Sequence, residues 1–223
     1  MKKLLLPLMI CMLFSSHAQD VPTLAEAAFD KPLKEKLEAI YDRDQAIRRE
    51  YIAAQKKLGF GHTIVDSLGT EMNKIDSVNH KEIVAILDTQ GWVGSDKVGK
   101  KANQALFLVI QHADLETQKR YLPMMRDAVK AEKANPASLA LLEDRIELRE
   151  GRRQIYGSQI GRHPITNEHY VLPLRDPENV DERRAAVGLG PMSQYTENWN
   201  LKWDVEAYKK LLPEYEQIAN EKK

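Results

Sequence analysis

The run Gln111-His-Ala-Asp114 sets an imidazole two residues before a carboxylate, and Leu142-Glu-Asp-Arg145 sets a carboxylate beside a guanidinium. Imidazole is the side chain whose charge changes near neutral pH, and a carboxylate on one ring nitrogen decides which nitrogen keeps the hydrogen. General acid or base chemistry through His112, with Asp144 or Asp44 as the orienting carboxylate, is therefore one reading, and hydrolysis is the reaction class it favours. The structural alternative is that His112 interacts with a helix dipole at a C-terminus while Asp114 caps the next helix.

Asp44, Asn79, His112, Gln118 and Asp144 interrupt or edge apolar stripes. In Leu33, Leu37, Ile40, Asp44, Ile47, Tyr51, Ala54, Leu58 the steps of three and four hold throughout, and a carboxylate occupies a core position. Burying such a group without a partner costs several kcal/mol, so these positions are expected to meet one another or a ligand. One outcome is a polar cleft between helices, where bundle proteins build sites, with Asn79, Gln118, Arg145, Tyr156 and Gln159 contacting a polar small molecule, a peptide or a glycan fragment. The other is a sealed network in which Arg48 or Arg145 neutralises the carboxylates.

No metal or cofactor is expected. His-Glu-x-x-His, EF-hand and paired-cysteine spacings do not occur, although His112, Asp114 and Asp144 are of suitable ligand type for a divalent ion. Ser158 lacks the Gly-x-Ser-x-Gly elbow of a hydrolase nucleophile. Asp181 with Arg183 and Arg184 reads either as an anion clamp or as a salt-bridged helix end.

The elements that must position these groups are mainly helical: a bundle of about five helices, a small β-hairpin and a C-terminal helical tail. Asp30 and Pro32 start a helix that Gly59 and Gly61 stop near Leu58. A second is expected over Thr63 to Gln90, with Gly69 loosening it. A third runs from Asp96 to His112 behind a Ser95 cap, and its apolar centre makes it the buried one. Asp114 caps a fourth that Pro123 should kink; Asn135 and Pro136 open a fifth that Gly151 closes. The segments 154–160 and 170–174 alternate and are β-prone, and turn residues lie between them, so they read as a hairpin. A short helix follows over 176–189. Trp199, Trp203 and an amphipathic helix broken or bent at Pro213 complete the chain, so the domain proper is expected over 33–195 and the tail over 196–223.

Lys2 and Lys3, the apolar run Leu4 to Phe14 and Ser16-His-Ala18 form a secretory signal over 1–18, followed by a leader over 19–32. The apolar run is about eleven residues against the ~20 needed to span a bilayer. The mature chain should therefore have no membrane span and be periplasmic or extracellular. Cys11 would leave with the signal, which excludes disulfides and thiolate chemistry. The 33 basic and 33 acidic residues balance, so nucleic acid is not an expected partner.

Gly91-Trp92-x-Gly94, Gln111-His-Ala-Asp114, Leu142-Glu-Asp-Arg145, Gln154-x-Tyr-Gly-Ser-Gln159, Asp176-Pro-x-x-Val180-Asp-x-Arg-Arg184 and Gly188-Leu-x-Pro191 together resemble a bacterial family catalogued as domain of unknown function 6624. The resemblance spans about Leu33 to Tyr195. Val93 and Ser158 depart from the Pro and Thr of that pattern. The family implies a helical domain and carries no reaction to transfer.

Overall fold

The computed structural model describes residues 29–221. The signal segment, Cys11 and most of the leader lie outside them. Helix α1 covers Lys31–Leu58 and α2 covers Thr63–Gln90, antiparallel partners joined by a glycine-bearing turn. Asp30 accepts from the Leu33 amide as the N-cap of α1, and Leu33, Leu37, Ile40, Asp44 and Ile47 are its buried residues. The stripe's last turns do not stay inside, because α1 overhangs the bundle and Leu58 is exposed.

The expected third helix is two. A single turn, α3 (Ser95–Val98), is separated from α4 (Lys100–His112) by Gly99 at φ +82. That left-handed conformation is open to glycine and strained for other residues, so the helix direction resets there. Helix α4 then runs through the middle, burying Ala102, Ala105, Leu106, Phe107, Val109 and Ile110. Helices α1, α2, α5 (Leu115–Lys130) and α6 (Pro136–Arg149) surround it. Asp114 caps α5 by accepting from the Thr117 amide at 2.8 Å, and Asn135 caps α6 by accepting from Ala137 at 2.8 Å. Pro123 sits within α5, whose helix continues past it.

The hairpin is smaller than its sequence pattern. Strands β1 (Ile160–Arg162) and β2 (His169–Val171) pair antiparallel, Gly161 opposite Tyr170. Residues 154–159 form a loop held by side chains instead of a strand. A 3-10 turn at Pro177–Asn179 leads into α7 (Val180–Ala186), then α8 (Met192–Glu197) and α9 (Val205–Glu221). Nine α-helices are thus present among the described residues, against the five-helix bundle expected. The short helix α7 and the C-terminal helix α9 answer the expected helix over 176–189 and the expected tail, so the additions are the separate turn α3 and the helix α8; α9 runs through Pro213.

Two apolar cores result. The larger lies among α1, α2, α4, α5 and α6; the smaller joins Val171, Leu174, Val180 and Met192 to Tyr208 and Leu212 of α9. The tail is therefore docked: the Tyr208 hydroxyl accepts from the Leu174 amide at 2.7 Å and donates to the Leu172 carbonyl at 3.1 Å. No helix among the described residues is long and apolar enough to cross a membrane.

Candidate functional site

Asp44, in the middle of α1 and 1% exposed, meets His112 at the C-terminal end of α4: His112 Nδ1 lies 3.0 Å from Asp44 Oδ1. A carboxylate oxygen can only accept while ionised, so Nδ1 carries the hydrogen and donates it. Nε2 has no protein partner among the described residues and accepts when the ring is neutral or donates when it is protonated. Arg48, one turn further along α1, puts Nη1 3.0 Å from the same Asp44 oxygen, and Gln45 Nε2 donates to Oδ2 at 2.8 Å. Burial pushes the Asp44 carboxyl up; the His112 hydrogen bond, the charges of His112 and Arg48 and the Gln45 amide more than reverse this, leaving it below its ordinary value. Asp44 is thus an ionised anchor for the imidazole.

Arg48 extends the cluster to α2, its Nη2 donating to both oxygens of Asp76 at 2.9 Å. Asp44, Asp76 and His112 offer ligand atoms within 4.8 Å of one another, a spacing that suits a divalent ion. The Arg48 guanidinium, however, already supplies the positive charge between the two carboxylates, so the donor set fits an arginine clasp better than a cation. Asn79 lies one turn beyond Asp76 and belongs to a neighbouring contact: Arg43 Nε and Nη2 donate to its Oδ1 at 3.2 and 2.9 Å.

Arg145 is different. Its Nε is buried with no hydrogen-bond partner, and among the described residues no carboxylate forms an ion pair with it. Burial, then the like charges of Arg149 and Arg48, push the guanidinium down to about 10. Arg149, one turn on, donates Nη1 to the Ala113 carbonyl at 2.7 Å, just past His112. Gln111 Nε2 reaches the Leu141 carbonyl, one turn before Arg145, at 3.4 Å, and Gln118 Nε2 donates to the Gln111 carbonyl at 2.8 Å. The Oε1 atoms of both glutamines are buried without a partner. The C-terminal ends of α4 and α6 thus bring His112, Arg145 and Arg149 together with two unused amide acceptors.

Asp144 does not join this group, which removes it as the partner of His112 and from a His112/Asp114/Asp144 metal set. Its Oδ1 accepts from the amides of Ile155 and Tyr156 at 2.6 and 2.8 Å, and Oδ2 from Ser158 at 2.8 Å. Burial pushes its carboxyl up against these three amides. Neighbours on a helix differ by about 100° in direction, so Asp144 faces the loop while Arg145 points away from it. The loop's carbonyls are held as well: Arg183 Nε donates to Ile155 O at 2.9 Å, Arg184 Nη1 to Tyr156 O at 2.7 Å and the Tyr195 hydroxyl to Ser158 O at 2.6 Å. Gly157 stands at φ +71, and a Cβ there would meet Met192 Sδ at 2.8 Å. Arg183 and Arg184 are therefore bracing residues and not an anion clamp.

The predicted contacts Tyr156 and Gln159 serve the same loop. Tyr156 Oη is 3.4 Å from Glu143 Oε2, and Gln159 bonds Gln154 and Ser158. No hydrogen bond joins either to His112. A cleft of about 550 Å³, lined by Trp92, Lys100, Asn103, Lys133 and Ser138 among others, opens at the opposite ends of α4 and α6 and contains none of the predicted site residues. Sequence reasoning missed Asp76 and Arg149. Asp76 was visible as the residue three before Asn79, and Arg149 as the residue four after Arg145, each on the face of a residue already singled out.

A family model described as a family of unknown function, DUF6624, matches residues 31–207. The chain belongs to that family. No curated protein and no solved structure matches it significantly. The DUF6624 region runs past Tyr195 as far as Ala207, and so takes in the end of α8 and the start of α9, which the motif resemblance left outside.

Proposed function

We propose that this DUF6624 protein is a binding module that takes a polar small molecule, peptide or glycan fragment where α1, α4 and α6 converge, with His112 as the recognising group. The observation that carries the reading is the half-used imidazole: Nδ1 is committed to a buried, ionised Asp44 at 3.0 Å, Nε2 has no protein partner among the described residues, and the side chain is a fifth exposed. Orientation by a buried carboxylate is preorganisation, which lowers the entropy cost of binding. A sealed structural network accounts for Asp144, and leaves Arg145 Nε and Asn79 Nδ2, both buried without a hydrogen-bond partner, unexplained.

The same dyad supports a second reading, a hydrolase in which His112 Nε2 takes a proton from water while Asp44 stabilises the imidazolium. A ligand screen by thermal melting separates the two. Anything that binds only the native state raises its melting temperature. Loss of the response in His112→Ala with the fold retained supports binding through His112; a retained response with loss of turnover supports catalysis; an unchanged response and turnover removes His112 from the site.

We read the protein as exported on Lys2, Lys3 and the apolar run before Ala18. Sequencing the amino terminus of the protein from its native host should find Gln19, and an intact Met1 overturns this.

A further inference from the structure

We propose that the ligand is an oxyanion, a phosphate or carboxylate group, grasped by Arg145 with Arg149 and Arg48 flanking it. The inference rests on the binding reading of the same site and adds the chemical class.

A guanidinium taken out of water needs acceptors for its five N–H groups and an opposite charge nearby, or its burial is uncompensated. Arg145 is half-buried, and its Nε is buried without an acceptor; the charges acting on the guanidinium are those of Arg149 and Arg48. The carboxylates on the surrounding elements are already engaged. On α1, Asp44 is held by His112, Arg48 and Gln45; on α2, Asp76 is held at both oxygens by Arg48. At the start of α5, Asp114 accepts from the Thr117 amide, with Arg149 and His80 as its charged neighbours. On α6, Glu147 is taken by Arg152, and Asp144 by the loop amides. Glu143 is held by Arg126, and Glu150 by Lys119 and Arg152, so among the described residues no carboxylate forms an ion pair with Arg145.

An oxyanion supplies both missing components. Its oxygens accept from Nε and Nη of one face of the guanidinium in the two-point geometry that arginine offers and lysine does not. Its charge relieves the repulsion among three arginines. His112 bonds the Asp44 carboxylate that Arg48 also holds, and it directly precedes Ala113, whose carbonyl Arg149 grips, so the imidazole is tied to both flanking arginines.

The test uses the full-length processed protein in chloride buffer of constant ionic strength, titrated separately with inorganic phosphate, with acetate and with glucose as a neutral control. Melting temperature and the NMR signals of the Arg145 Nε–H and the His112 ring are followed. Saturable shifts of both signals with phosphate, acetate or both, and not with glucose, are expected; the responding arm names the phosphoryl or the carboxylate source. Arg145→Met should weaken the response about tenfold or more while remaining folded, and Arg145→Lys should recover only part of it. A response to glucose alone overturns the oxyanion and leaves the binding site standing. A response undiminished in Arg145→Met also overturns it. If no arm moves either signal, the oxyanion falls; if in addition no member of a broader ligand screen moves the His112 ring, the binding reading falls with it.

Discussion

Asp44 and His112 are 68 positions apart in the chain and 3.0 Å apart in space, and they connect the middle of α1 to the end of α4. The carboxylate is nearly inaccessible and the imidazole partly open, so the pair reaches from the core to the surface. A rigid anchor beneath a group with one unused nitrogen is what separates this contact from the chain's other polar pairs.

Removing the anchor should therefore cost more than removing the ring. Asp44→Ala leaves His112 Nδ1 and one side of Arg48 without an acceptor, for a loss of about 3 kcal/mol. At this chain size the melting temperature should fall by roughly 6 to 12 °C. His112→Ala leaves Asp44 with Arg48 and Gln45 and should cost only about 1 kcal/mol. Equal losses in calorimetry would mean that the anchor holds nothing up.

The two buried aspartates should give acid responses of opposite sign. Asp44 is lowered in the fold from its ordinary 3.8, so between those values the unfolded chain binds more protons. Its contribution is full above 3.8 and is lost as pH falls through the lower folded value. Asp144 is raised from 3.8, so its contribution is full below 3.8 and is lost as pH rises through the higher folded value. In denaturant titrations across the acid range, Asp44→Asn should flatten the acid loss of stability and Asp144→Asn should steepen it.

Arg145 should be a stability liability. Arg145→Met keeps most of the side chain's length and removes a half-buried charge whose Nε has no acceptor, so the protein should gain about 1 kcal/mol in ligand-free buffer. Chemical denaturation decides this, and a loss of stability would show that the guanidinium has a partner in solution.

Asp144→Asn should loosen one loop and leave the bundle intact. An amide can still accept at one oxygen but presents an NH2 group to the backbone amide that the other oxygen served. The cost is about 2 to 3 kcal/mol, the desolvation of a buried donor left unmade. Hydrogen exchange should quicken at Ile155, Tyr156 and Ser158 and stay unchanged at Leu106 and Ile110 of α4.

Much of the scaffold follows from local chemistry alone. The stripe Leu33 to Ile47, the caps Asp30, Asp114 and Asn135, and the glycine ends of α1 and α2 each act within one or two turns, so their consequences are legible residue by residue. The presence of polar groups at core positions is equally local, and Asp44, Asn79, Gln118 and Asp144 are all buried as the stripes require. Where the signal was not local it misled. The β-prone residues 154–159 became a loop because Asp144, Arg183, Arg184 and Tyr195, distant in sequence, hold its backbone groups in place of a strand partner.

The sequence by itself determined the helices, their inward faces and which inward positions are polar, because those depend on a period of 3.6 residues and on caps. Only the tertiary structure decided the pairing: Asp44 with His112, Asp144 with the 155–158 loop, and Arg145 with no carboxylate among the described residues. A carboxylate on a stripe shows only that something must satisfy it. Which group does so depends on the crossing of helices separated by dozens of residues, and that geometry is set by packing of the whole core.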